Sequence, residues 1–147
     1  MIQLRSILLV EDNAKDIELT LKALKSKGLA NRVVTARDGV EALEYLRCTG
    51  RYTDRQKTNP AVILLDIKMP RMDGITTLRT IRADPALSMI PIVMLTSSRE
   101  DPDLRQCYEA GVNAFVVKPV GFQPFMDAVQ DLGVFWALIN EPPPDNE

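Results

Sequence analysis

Histidine is absent from the 147-residue chain. That gap removes imidazole from every mechanism: there can be no histidine-based triad, no zinc site with imidazole ligands and no phosphohistidine on this chain. Cysteine is scarce as well. Cys48 and Cys107 lie far apart without C-x-x-C spacing, so they read as reduced thiols and not as a disulfide or metal framework. Long apolar runs are missing too. The opening "MIQLRSILLVEDN" has one Arg and only four consecutive apolar residues before its acids, too few for a secretory segment, and nothing approaches a membrane span. Finally, there is no basic excess: 18 Lys and Arg face 20 Asp and Glu, a net charge of -2, which gives nucleic acid no electrostatic footprint. A cytoplasmic protein is expected, with its chemistry confined to carboxylates, hydroxyls, Lys or a bound cation.

What is present suits one globular domain. The composition is 46% hydrophobic and 26% charged, and the length allows a single sizeable core with little room for a second. We expect one domain over residues 1–140 and a short polar tail, "EPPPDNE", over 141–147, with no separate output domain.

Periodicity gives an alternation of strands and helices. "SILLV" (Ser6 to Val10) is a continuous apolar run of the kind covered on both faces, and the segment after it places Ile17, Leu21 and Leu24 on one helical stripe ending at Gly28. "RVVTA" (Arg32 to Ala36) is a second strand, and Asp38 caps a helix carrying Val40, Leu43 and Leu46. A long polar loop, Thr49 to Pro60, precedes the third strand, Ala61 to Asp66. The turn "KMPRMDG" leads to a helix with Ile75, Leu78 and Ile81 on one face. Strands four and five are Pro91 to Ser98 and Ala114 to Val120, with a helix from Leu104 to Ala110 between them that stops at Gly111. A last helix starts at Phe122 and carries Phe122, Phe125, Val129, Leu132 and Trp136 on one stripe.

Each parallel connection needs a crossover, so this alternation predicts an α/β doubly wound, five-stranded parallel sheet, (βα)5. Ligands of such sheets lie outside the carboxyl ends of the strands. The residues at those ends are Glu11 and Asp12 after strand one, Asp66 after strand three, Thr96 after strand four and Lys118 after strand five. Any one of them alone is an ordinary turn or cap residue. Together they point to one crevice in which three carboxylates require a compensating cation. A small cluster with open positions for a phosphoryl ligand suits Mg²⁺. Lys118 and Thr96 then supply an ammonium and a hydroxyl for phosphoryl oxygens, and Asp66 remains as the nucleophile, forming an aspartyl phosphate.

The pieces "LLVEDN", "ILLDIKMPRMDG", "VMLTSS" and "AFVVKP", spread from Ile7 to Leu138, resemble the receiver domain of bacterial two-component response regulators, the CheY-like fold. The resemblance implies flavodoxin-like strand order 2-1-3-4-5 and a phosphorelay switch without separate turnover chemistry: phosphorylation on Asp66, Mg²⁺ held by Asp12, Asp66 and the main-chain carbonyl of Lys68, and Glu11 acting on the metal through water. It also implies that Thr96 and Lys118 bond the phosphoryl oxygens, that the bond before Pro119 is cis, and that Phe115 is the aromatic switch residue partnering Thr96. The phosphoryl group would come from a sensor histidine kinase or a small phosphodonor. The long polar loop and the late "VFWALIN" look like single-domain regulators that accompany bacteriophytochrome kinases. The domain would catalyse its own phosphorylation and dephosphorylation and signal through protein contacts.

Two surfaces follow as expectations. A kinase would dock against helix 1 and the loop after Pro119, with Ala14, Ile17 and Val120 as candidates, Ile17 serving equally well as a core residue. Val134, Phe135 and Leu138 fall off the packing stripe of the last helix, which predicts a homodimer through that helix. A flavodoxin-type module would need a phosphate loop where "EDNAKD" stands, and a haloacid-dehalogenase-like phosphatase would need an Asp where Lys68 stands.

Overall fold

A computed structural model of the chain describes residues 5–25 and 32–132. Strands β1 (Ile7–Val10), β2 (Val33–Ala36), β3 (Val62–Asp66), β4 (Ile92–Thr96) and β5 (Ala114–Val117) alternate with helices α1 (Ala14–Lys25), α2 (Gly39–Arg47), α3 (Gly74–Ala83), α4 (Asp103–Glu109) and α5 (Phe122–Asp131). All strand pairs are parallel, in the order β2-β1-β3-β4-β5. This is the doubly wound sheet that the alternation predicts, in the flavodoxin-like strand order that the resemblance implies.

The near-continuous apolar character of β1, β3 and β4 has a direct cause, since alternate residues enter two different cores. Leu8, Val10, Ile63, Leu65, Ile92 and Met94 pack with Ala42, Leu46, Leu78, Ile81, Leu104 and Cys107 from α2, α3 and α4. Ile7, Leu9, Val62, Leu64, Val93 and Leu95 pack with Leu24 of α1 and with Phe125, Met126 and Val129 of α5. The strands are shorter at their carboxyl ends than the apolar runs suggest. β4 stops at Thr96 and β5 at Val117, so Ser97, Ser98 and Lys118 belong to loops.

Local signals place the helices. Asp38 accepts a bond from Glu41 N at 2.9 Å and caps α2, and Asp73 does the same for Thr76 N at 2.8 Å at the start of α3. Pro124 sits in the first turn of α5, where an amide hydrogen would have no helical partner. Gly111 ends α4 with φ 98, a left-handed conformation that favours glycine. The polar loop before β3 holds a short helical turn, Gly50–Tyr52, and Arg55 lies 3.8 Å above the Tyr45 ring.

One docking expectation needs correction, and several residues lie outside the described range. Val120, read as a kinase-docking residue, is buried in the core beneath α1 and α5, and Ile17 packs partly against the same core. The Val120 side chain is spent on packing, Ile17 is half-buried in keeping with its core alternative, and Ala14 is exposed at the start of α1. Gly28, Trp136, Val134, Phe135 and Leu138 lie outside the described residues.

Candidate phosphoryl-transfer and metal site

The five strand-terminal residues converge because their strands are parallel and adjacent. Glu11 follows β1 directly, its amide bonded to the Ala36 carbonyl at 2.9 Å, and is only 1% exposed. Asp12 beside it is exposed. Asp66, the last residue of β3, is buried. One carboxylate oxygen from each of these three lies within 4.8 Å of the others. Asp66, Lys68, Thr96 and Lys118 line the same cavity, about 250 Å³ in volume.

The position of Asp66 depends on a close approach from α3. The amide of Gly74 bonds the Ile67 carbonyl at 2.8 Å, and a Cβ on residue 74 would collide with the Asp66 carbonyl oxygen. Only glycine lets the helix begin there. Arg71, three residues earlier, has φ 61 and holds Asp38 through two bonds, Nε to Oδ2 at 2.7 Å and Nη2 to Oδ1 at 3.1 Å. The loop after Asp66 is thus tied to the cap of α2.

Lys118 is the cation of the cluster. Its Nζ lies 3.2 Å from Asp66 Oδ1, 3.1 Å from Asp16 Oδ2 and 3.7 Å from Glu11 Oε1. Burial alone would lower its pKa, but Asp66, Asp16 and Glu11 outweigh that and raise it, so the ammonium stays charged. Its backbone amide bonds the Thr96 carbonyl at 2.7 Å, which fixes the end of β5 against the end of β4. The Lys118–Pro119 peptide is cis.

One ammonium does not neutralise this much negative charge. Burial, and after it the adjacent Asp66 carboxylate, push the Glu11 pKa up to about 8. Among the described residues, Glu11 Oε2 is the buried side-chain polar atom without a hydrogen-bond partner, a costly state for a carboxylate oxygen. An orphaned oxygen beside two further carboxylates fits a hard divalent cation with oxygen ligands.

Thr96 is buried, and its Oγ1 donates to the Ser98 carbonyl at 2.9 Å and to Asp101 Oδ2 at 3.0 Å. Phe115 lies outside this cavity. It is half-buried on β5, edge-on to Tyr108 with ring centroids 6.4 Å apart, and the Arg99 guanidinium stands 6.0 Å from its ring. The sequence reading missed Asp16 and Asp101, the partners of Lys118 and Thr96. Both follow a strand-terminal site residue within five positions, the one available signal.

A family model described as the response regulator receiver domain matches residues 7–130. The chain belongs to the response regulator receiver family. Among solved relatives, the structure of the bacteriophytochrome response regulator AtBRR is 61% identical, with 95% of this chain and 99% of that chain covered and a TM-score of 0.85. The bacteriophytochrome response regulator RtBRR is 53% identical, covering 97% and 86%, with a TM-score of 0.84. Response regulator Rcp1 from Synechocystis sp. is 35% identical over 88% of this chain and 87% of its own length, and a structure of an Mn(2+)-bound form of Rcp1 has a TM-score of 0.72. The chain is a receiver domain of the two-component type, similar to single-domain regulators: a signalling switch and not a conventional turnover enzyme.

Proposed function

We propose that this receiver takes a phosphoryl group on Asp66 and changes its protein contacts in response. One observation carries the assignment: of the three clustered carboxylates, Asp66 is the nearest to the Lys118 ammonium, 3.2 Å against 3.7 Å for Glu11. An Asp66 carboxylate oxygen attacks phosphorus, and the bond from phosphorus to the donor breaks. That bond is P–N in a phosphohistidine, leaving imidazole, or P–O in acetyl phosphate, leaving acetate. Lys118 and Thr96 hold the phosphoryl oxygens. Lys118 is already charged and in place, while Thr96 must turn from its present partners. Water attack on the same phosphorus returns Asp66 and inorganic phosphate, so both phosphorylation and its reversal are catalysed by the domain itself.

Glu11, Asp12, Asp66 and the main-chain carbonyl of Lys68 would hold Mg²⁺, with Glu11 acting through water; the bound ion offsets the negative charge that gathers when a phosphoryl group joins three carboxylates. The likeness to AtBRR and RtBRR supports a sensor histidine kinase of the bacteriophytochrome class as donor. Val134, Phe135 and Leu138, off the stripe of Phe122, Phe125 and Val129 in the sequence, support self-association through the C-terminal segment.

The test is intact mass after incubation with Mg²⁺ and acetyl phosphate. Wild type gains one phosphoryl group, alkali removes it, and Asp66→Asn gains none. An equal gain in the variant would move the nucleophile elsewhere.

A further inference from the structure

We infer that Asp101 is a positioning residue that holds the Thr96 hydroxyl in a resting orientation and so sets the threshold for phosphoryl binding; the inference rests on the assignment of Thr96 to the phosphoryl oxygens. The threonine hydroxyl has one proton to give. Here it is shared between the Ser98 carbonyl and Asp101 Oδ2, while the same Oγ1 accepts from Ser98 N at 3.3 Å. An acceptor that carries charge holds a proton more strongly than a neutral carbonyl does. Asp101 also lines the cavity that holds Asp66 and Lys118. Its carboxylate therefore opposes an incoming phosphoryl group twice: it competes for the same hydroxyl proton, and it adds like charge at the rim.

Asp101 is held in this pose by the start of α4. Its amide bonds the Ser98 carbonyl at 3.2 Å, its Oδ1 accepts from Asp103 N at 2.9 Å, and its carbonyl accepts from Leu104 N at 3.1 Å. When Thr96 turns toward the phosphoryl group, Asp101 loses one of its partners and the loop from Ser97 to Pro102 is released from the site. Arg99, over the Phe115 ring, is part of that loop. The hydroxyl of Thr96 and the start of α4 are thereby coupled through one carboxylate.

The test uses beryllofluoride with Mg²⁺ as a stand-in for the phosphoryl group, its affinity followed by fluorine NMR. Asp101→Ala, and Asp101→Ser, which keeps a short acceptor for Asp103 N, bind beryllofluoride about 3- to 10-fold more tightly than wild type, as expected for the loss of one competing hydrogen bond. In a Thr96→Ala background the same Asp101 substitutions give no gain beyond that of Glu100→Gln, which removes an exposed charge from the same loop. Unchanged or weaker binding in the Asp101 variants, or an equal gain with and without Thr96, overturns the inference while leaving the phosphoacceptor reading intact. Failure of wild type to take up beryllofluoride at all, with Mg²⁺ present, overturns both.

Discussion

Glu11 has exchanged water for a second carboxylate, and the consequence is a stability that depends on pH. Its ordinary pKa of 4.5 rises to about 8 through burial first and Asp66 second. Between those values the folded chain keeps a proton that the unfolded chain releases, so metal-free stability falls as pH rises from about 4.5 to about 8. A divalent cation competes with that proton and restores what is lost. Mg²⁺ therefore raises Tm more at pH 8 than at pH 5 in thermal scans, and Glu11→Gln flattens the metal-free pH profile. Equal increments at both pH values would contradict this account of Glu11. At this scale the sequence was informative for Glu11, Asp12, Asp66, Thr96 and Lys118, because a parallel sheet sends every strand terminus to one edge. It was silent on Asp16, since the bond to Lys118 joins residues 102 apart and exists only once α1 is laid over the sheet. Asp101 was hidden for a related reason: its role depends on how the loop after β4 folds back, which no periodicity records.

The helices and strands carry the next level of constraint. Gly74→Ala forces a Cβ against the Asp66 backbone, which cannot rotate away as a flexible side chain would. A cost of about 1–3 kcal/mol in denaturant unfolding is expected, with weaker Mg²⁺ binding because β3 and α3 must separate. Asp38→Ala removes the cap of α2 and leaves Arg71, whose φ is 61, without its anchor. Loss of the cap costs about 1 kcal/mol, while the exposed arm of the Arg71 pair adds little. Burial would push the Asp38 pKa up, but bonds from Arg71 and the Glu41 amide bring it below 3.8. Its contribution is therefore present above its ordinary pKa of 3.8 and fades on acidification below that, which a Tm series from about pH 5 down to about pH 2.5 in wild type and Asp38→Ala would check. The existence and order of these elements were readable from apolar spacing alone. Their ends were not: β4 and β5 stop before Ser97 and Lys118 because ladder pairing ends at Thr96 and Val117, although Pro119 and Val120 continue the apolar run after Lys118. On α1 the buried stripe includes Thr20 beside Leu24, which a reading based on apolar residues passes over.

Across the described residues, a single sheet divides two cores, with α1 and α5 on one side and α2, α3 and α4 on the other. The site draws on both halves: Asp16 comes from α1, Gly74 from α3 and Asp101 from the loop before α4. Self-association is the property of the whole molecule still open to a direct test. Light scattering at micromolar concentration should give the mass of two chains, and a mass of one chain would remove the proposal for Val134, Phe135 and Leu138. All of the groups proposed to react sit at the carboxyl edge of the sheet, whereas Lys57 and Thr58, exposed just before β3, mark the opposite rim. A dye or a solid support attached at that rim would leave the mouth of the site open, so the domain could be immobilised as a sensor without blocking the event it reports.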